Sequence, residues 1–397
     1  MRIKAVEVRE IFDSRGQPTL EVELAVESGI MARAEIPSGK SRGSTEAAVL
    51  SLAEIQKVLP AAQSEVLKND FATAEELDNF LIKLDGTADK KKLGGNLLLG
   101  ISVAFWRALA EEKKLEVWEL LNKTFFKSQD SDKKPLIFSN FINGGEHARN
   151  NLDLQEYLVI AKTLNNFAET TKKLAGLYEK LGDALRQDRK LENIPLGDED
   201  GYSLDFENNF QPVEILDGLI KAENMAGDFN LGLDAAASGF YRGDKYHFEG
   251  KDLSSAELQE VYLEYFRKSE LLVSIEDPLA ETDLEGFASL KTKMGDKWLV
   301  GDDLTTTSPA RIAEFADKGL INSVIIKPNQ IGTVTETCLA INKAKEKGLK
   351  FIVSHRSGET EDNFIISLAR ASGADGVKIG APLNERIAKF NELIRIY

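Results

Sequence analysis

Three carboxylates recur at the ends of apolar runs. "FNLGLDAA" carries Asp234, "LLVSIED" reaches Glu276, and "KWLVGDD" carries Asp302. One acidic residue at a strand end often does no more than cap the helix that follows. Three in consecutive units, at one level of a sheet, repel strongly unless a cation lies among them. Hard oxygen ligands with room for water suit Mg2+. The next run, "NSVIIKP", closes on Lys327, and "DGVKIG" carries Lys378. A lysine is a costly end for a dry run. Nearby cations are expected to lower the pKa of Lys327 and make it a general base. Pro328 favours an extended backbone at Lys327. Two lysines facing three carboxylates point to removal of a proton beside a metal-bound carboxylate.

Other polar groups gather at similar places. "SHRSGETEDNF" follows a strand and offers Ser354, His355, Arg356 and Ser357 as donors to carboxylate or phosphate oxygens. The chain has three histidines, and two of them, His147 and His355, sit in Gly/Ser-rich turns at strand ends. Glu156 lies in "LDLQEYLVI" and Glu199 in the acidic turn "PLGDEDGY". A raised pKa on one such carboxyl would supply a general acid. "IPSGKSRGSTE", residues 36–46, can close over a ligand with backbone N–H groups and hydroxyls. It is not a phosphate loop of the GxxxxGK[ST] kind, and no GxGxxG follows a strand.

The elements that must position these groups fall into two parts. In the first, "TLEVELAV" alternates as a half-buried strand and "SGIMARAEIP" reads as its return partner. Helices are expected over about 44–59 and 64–83, with a third, 94–123, broken in two. "FFKSQDSDKKPL" reads as a linker. Beyond it, eight short apolar runs alternate with helical periodicity, from "LIFSNFI" and "LDLQEYLVI" through "LKFIVSH" to "DGVKIG". The fold expected is α/β: a C-terminal eight-stranded β/α barrel, residues 134–397, plus a smaller N-terminal α+β domain, residues 1–127. The connection between the first two barrel strands is too short for a crossover helix, so the barrel should start with an antiparallel pair. In such a barrel the strand ends meet on one face, where active sites form.

Composition sets outer limits. A chain of 397 residues with net charge −15 is not built for non-specific nucleic-acid binding or for an anionic membrane surface. No apolar run approaches the length of a membrane span. The start is not expected to be a signal peptide, and Cys338, the single cysteine, fits a reducing cytoplasm.

Together "FDSRGQPTLEVEL", "PSGKSRGSTEA", "INGGEHA", "GDEDG", "SIEDPL", "VGDDLTTT", "IKPNQIGT", "SHRSGETED" and "KIGAP" resemble the signatures of the enolase family, in its order and over nearly the whole chain. The resemblance implies Mg2+-dependent, reversible dehydration of 2-phosphoglycerate to phosphoenolpyruvate, with two Mg2+ per site. It implies that Asp234, Glu276 and Asp302 hold the first ion and that Ser41 helps hold the second. Lys327 would take the C2 proton, in keeping with the Lys or His base beside Mg2+ that is general in the enolase superfamily. Glu199, supported by Glu156, would protonate the leaving hydroxyl, and Lys378 would stabilise the intermediate. His147, Gln155, His355, Arg356 and Ser357 would position substrate beside Glu156, Glu276, Asp302 and Lys378. A cytoplasmic homodimer or higher homo-oligomer is expected.

The sequence departs from the family at Lys40 and Arg42 in the loop, at Glu146 and Arg149 beside His147, and at Asp200, where glycine is usual. The charge of Asp200 is expected to raise the pKa of Glu199. Two other readings compete: another dehydratase or racemase of the superfamily, and a catalytically silent scaffold. Those relatives carry a Lys-x-Lys pair on the second barrel strand, which here reads "LDLQEYLVI".

Overall fold

A computed structural model describes residues 1–40, 43–127 and 132–397. Ser41, Arg42 and part of the expected linker, 128–131, lie outside the described residues. The N-terminal part opens with an antiparallel sheet of β1 (Ile3–Phe12), β2 (Pro18–Val26) and β3 (Met31–Ile36). Four helices follow: α1 (Leu52–Leu67), α2 (Ala74–Asp85), α3 (Gly95–Glu112) and α4 (Val117–Leu121). α3 is buried along nearly its whole length and packs on β2 and β3.

The first two helices start later than expected. Ser51 and Glu54 form a reciprocal capping box, which fixes the start of α1. Upstream, the Ala47 and Ala48 N–H groups are already used by the carbonyls of Gln330 and Asp89. α2 begins after Thr73, whose hydroxyl accepts from the Glu76 N–H. The expected break in the third helical stretch is present between α3 and α4, at Lys114 with φ 55°.

The second part is the barrel. β4 (Leu136–Asn143) and β5 (Glu156–Ala161) precede α5 (Phe167–Arg189) and α6 (Gln211–Ala222). β6 (Phe229–Asp234) leads to a small sheet of β7 (Tyr241–Arg242), β8 (Lys245–Phe248) and β9 (Lys251–Leu253). The rest alternates: α7 (Ser255–Lys268), β10 (Leu272–Glu276), α8 (Leu284–Lys293), β11 (Trp298–Gly301), α9 (Pro309–Asp317), β12 (Ser323–Ile326), α10 (Pro328–Ile331), α11 (Val334–Glu346), β13 (Lys350–Ser354), α12 (Phe364–Ser372), β14 (Gly376–Ile379) and α13 (Ile387–Ile396). The barrel closes in the order β10-β11-β12-β13-β14-β4-β5-β6. Its interior is filled by Phe138, Leu158, Ile160, Val300, Ile325 and Ile352, so it is a packed core and not a channel.

The antiparallel start is present and goes further than the sequence suggested. β5 runs against both of its neighbours, β4 and β6. The other seven strands end at one rim, and β5 begins there. The first residue of β5, Glu156, therefore stands level with Asp234 at the end of β6, which in turn stands level with Glu276 at the end of β10.

The N-terminal part sits against this rim. Arg107 grips Asp362 through two hydrogen bonds of 2.7 and 2.8 Å, and Lys90 pairs with Glu336 at 2.9 Å. Ser38 and Gly358 exchange backbone hydrogen bonds of 2.7 and 2.9 Å, which carries the start of the 36–46 loop onto the barrel mouth.

Candidate active site

The barrel mouth gathers most of the expected residues. Asp234 and Glu276 share one cation, the ammonium of Lys378. Its Nζ lies 2.9 Å from Asp234, 2.9 Å from both Glu276 oxygens and 3.1 Å from Glu156. Lys378 reaches them from β14 and is 2% exposed. Burial alone would lower its pKa, but these carboxylates outweigh burial and hold it well above the usual lysine range. Burial pushes Glu276 up, with Asp234 adding to it, even with Lys378 alongside.

Asp302 is drawn elsewhere. It pairs with Lys327 and accepts a 2.9 Å hydrogen bond from Gln330. It also groups with Asp277 and Asp303, so the three expected metal ligands do not form one tight cluster here. Asp277, at φ 39°, turns its carboxylate to accept from the N–H groups of Asp302 and Asp303 at 3.0 and 2.7 Å. Burial, with the repulsion of Asp302, lifts Asp303 to about 7. For Lys327 the protein's own groups do not by themselves produce the expected fall in pKa. Burial and the cations of Arg356 and Lys378 do pull its pKa down, but the Asp302 carboxylate wins and the pKa is raised.

The opposite side of the mouth is acidic. Glu156, Glu199 and His147 bring ligand atoms within 4.8 Å of one another. Burial and the neighbouring Glu199 push Glu156 well above the carboxylate range. Glu199 goes the other way: burial would raise it, but His355, His147 and Lys378 hold it low. His147 is itself pushed down by burial to about 4, so the imidazole is neutral near pH 7 and Lys378 is the firmer positive partner. The proton of this carboxyl pair therefore resides on Glu156. Asp200 does not have the effect expected of it. Its carboxylate turns away from Glu199 to accept from Asn384 at 2.7 Å and from Arg386 at 3.2 Å.

The remaining donors line the same mouth. His355 Nε2 is 3.3 Å from Glu199, and neither ring nitrogen of His147 has an aligned hydrogen-bond partner among the described residues. Arg356 forks onto Glu46 at 3.1 and 3.2 Å and onto Asn329 at 2.9 Å. The Ser357 hydroxyl accepts from the Lys40 N–H at 3.0 Å. Gln155 precedes Glu156 and borders a cavity of about 520 Å3, together with Lys40, Glu146, Ser238 and Asp303. Glu46, Gln330 and Arg386 were not singled out from the sequence. No local pattern marks them, because each acts on a partner distant in the chain. Ser41 lies outside the described residues.

These residues fit a hard divalent cation. Burial, and after it the repulsion of neighbouring carboxylates, raises the pKa of Glu276, Asp277 and Asp303, and a bound cation would relieve both. Both ammonium groups already stand where positive charge is demanded. The expected ligands Asp234, Glu276 and Asp302 are all carboxylates, which suits Mg2+ better than a soft metal.

Comparison with known proteins bears on the whole chain. Residues 3–121 match the family model for the enolase N-terminal domain, and residues 132–397 match that for the enolase C-terminal TIM barrel domain. The curated enolase of Natranaerobius thermophilus is 39% identical over 411 residues, covering 99% of this chain and 94% of that protein. The enolase of Elusimicrobium minutum is 37% identical, covering 100% of this chain and 95% of its own. That of Anaplasma marginale is 38% identical, covering 100% and 94%.

Proposed function

The chain belongs to the enolase family of lyases, and we propose how its barrel mouth carries out the family's reaction, the reversible loss of water from 2-phosphoglycerate to give phosphoenolpyruvate. One observation carries the proposal. In the eight-strand ring, β12 and β5 are diametrically opposed, so a lysine and a carboxyl pair face each other across one mouth. Such a pair can take a proton from one carbon and give one to a leaving group on the next.

Lys327 removes the C2 proton. To do so it must first shed its own proton, and separation from Asp302 removes the contact that holds that proton on. The C–H electron pair is first held on the substrate carboxylate as an enediolate and then becomes the C2–C3 double bond as the C3–O bond breaks. Glu156 passes its proton to Glu199, which delivers it to the departing hydroxyl, and the hydroxyl leaves as water. Lys378 stays charged and donates to the developing dianion. His147, Gln155, His355, Arg356 and Ser357 hold the carboxylate and phosphate. Asp234, Glu276 and Asp302 would hold one Mg2+ and Ser41 would help hold a second, and the ions, when bound, would supply the positive charge that makes so weak a carbon acid reactive.

Residues 1–127 cap the catalytic unit, 134–397, in a homodimer or higher homo-oligomer in the cytoplasm. No helix among the described residues is long and apolar enough to cross a membrane. The test is phosphoenolpyruvate formation by the purified protein, with Mg2+ or with excess EDTA, beside Lys327→Ala. Turnover that needs the metal and is lost with Lys327 is the expected result. Turnover that survives either change would refute it.

A further inference from the structure

The acidic hairpin that carries Glu199 is gripped along three consecutive residues by the segment after β14. Arg386, fully buried, donates through Nη2 to the Asp198 carbonyl at 2.9 Å. The Ala381 N–H donates to the Glu199 carbonyl at 3.0 Å. The Asp200 carboxylate accepts from Arg386 Nη1 at 3.2 Å and from Asn384 at 2.7 Å. The Asp200 carbonyl accepts from the Tyr178 hydroxyl. The same Nη2 of Arg386 also donates to the Ser357 carbonyl at 3.0 Å. One guanidinium thus joins the acidic hairpin to the turn bearing His355 and Arg356.

Two further details show how tightly this is built. Asp200 has φ 62°, the left-handed region that glycine enters freely and that Asp tolerates better than most residues. A Cβ on Gly380 would come within 2.4 Å of Arg386 and 2.6 Å of the Glu199 carbonyl. The backbone of 380 and the Arg386 side chain therefore lie directly against the residue whose carboxyl must reach the leaving hydroxyl.

We propose that Asp200 and Arg386 are positioning residues for Glu199, fixing the hairpin so that its carboxyl meets the C3 hydroxyl. Arg386 supplies the fork and Asp200 its anchor. A chain with glycine at 200 keeps the backbone conformation but loses the anchor. The inference rests on the assignment of Glu199 as the acid for the C3 hydroxyl. It predicts a defect confined to loss of that hydroxyl, because proton removal at C2 depends on Lys327 on the far side of the mouth.

The test compares two rates in Asp200→Gly, Asp200→Asn and Glu199→Gln. One is phosphoenolpyruvate formation. The other is exchange of the C2 hydrogen of 2-phosphoglycerate with D2O, read by proton NMR. Circular dichroism melting checks the fold, which glycine at this φ should leave intact. In both Asp200 variants, turnover should fall roughly 10- to 100-fold, the scale of a small misplacement of a catalytic group, while exchange falls far less. The exchange-to-turnover ratio then rises, as it should in Glu199→Gln. A uniform loss of both rates, or no loss, in the Asp200 variants while Glu199→Gln raises the ratio would overturn the positioning role alone. An unchanged ratio in Glu199→Gln would overturn the acid assignment, and the proposal with it.

Discussion

Replacing Lys378 with methionine tests the electrostatics of the mouth without relying on turnover. Methionine keeps the length and apolar stem but removes the charge that Asp234, Glu276 and Glu156 share at 2.9 to 3.1 Å. All four residues are at least 95% buried, so water cannot compensate. Removing one partner of a buried ion pair typically costs about 3–5 kcal/mol. Three carboxylates on one ammonium place this site at the upper end of that range, moderated by proton uptake on Glu156 and Glu276. The pH dependence has a definite sign. The pKa of Lys378 is raised, so its stabilisation is fully present below the ordinary lysine pKa and is lost only as pH climbs through the raised value. The carboxylates Glu156 and Glu276 are raised as well, so the folded state holds protons that the unfolded chain has released. Acidification therefore favours the folded variant. The assay is urea unfolding in EDTA, with wild type and Lys378→Met compared near pH 8 and near pH 5.5. The gap should be wide at the higher pH and narrow at the lower, and Mg2+ should restore part of it by binding the freed carboxylates. Equal midpoints at pH 8, or a gap that acid fails to narrow, would show that the reasoning is wrong.

Three further outcomes follow from single contacts. A Cβ on Gly39 would lie 1.7 Å from Arg356 Nη2, so Gly39→Ala should lower kcat/KM by roughly tenfold or more with little change in melting temperature. His147, pushed to about 4, should show no imidazole titration by NMR between pH 8 and 5; its share of stability is lost as pH falls below the ordinary value of 6.5. Burial lifts Asp303 to about 7, so Mg2+ affinity measured by calorimetry should rise as pH is raised through 7, and Asp303→Asn should flatten that rise.

The sequence was most legible where a period ends in a residue of the wrong polarity. Asp234, Glu276, Asp302, Lys327 and Lys378 each break an apolar run, and every one is at the rim. The short β4–β5 connection also announced an antiparallel pair. That β5 opposes β6 too, and so brings Glu156 level with Asp234, depends on which strands become neighbours when the ring closes. The pKa directions were not legible for the same reason. Whether Lys327 meets a metal or Asp302, and whether Asp200 faces Glu199 or Arg386, is decided by contacts between distant segments. Helix starts were misplaced where a capping box outcompeted periodicity at Ser51.

Closure of the ring has a consequence for how the chain is made. β4 pairs with β5, yet its other edge waits for β14, which follows every other strand of the ring in the chain. At about 5–20 residues per second, synthesis leaves that edge open for tens of seconds after β4 emerges. The edge of Leu136, Ile137 and Phe138 that ends up opposite Gly376, Val377 and Lys378 has no strand beside it until then. The nascent barrel is thus an open sheet with an apolar margin until its final strand arrives, and that strand is the one that delivers Lys378 to the carboxylates.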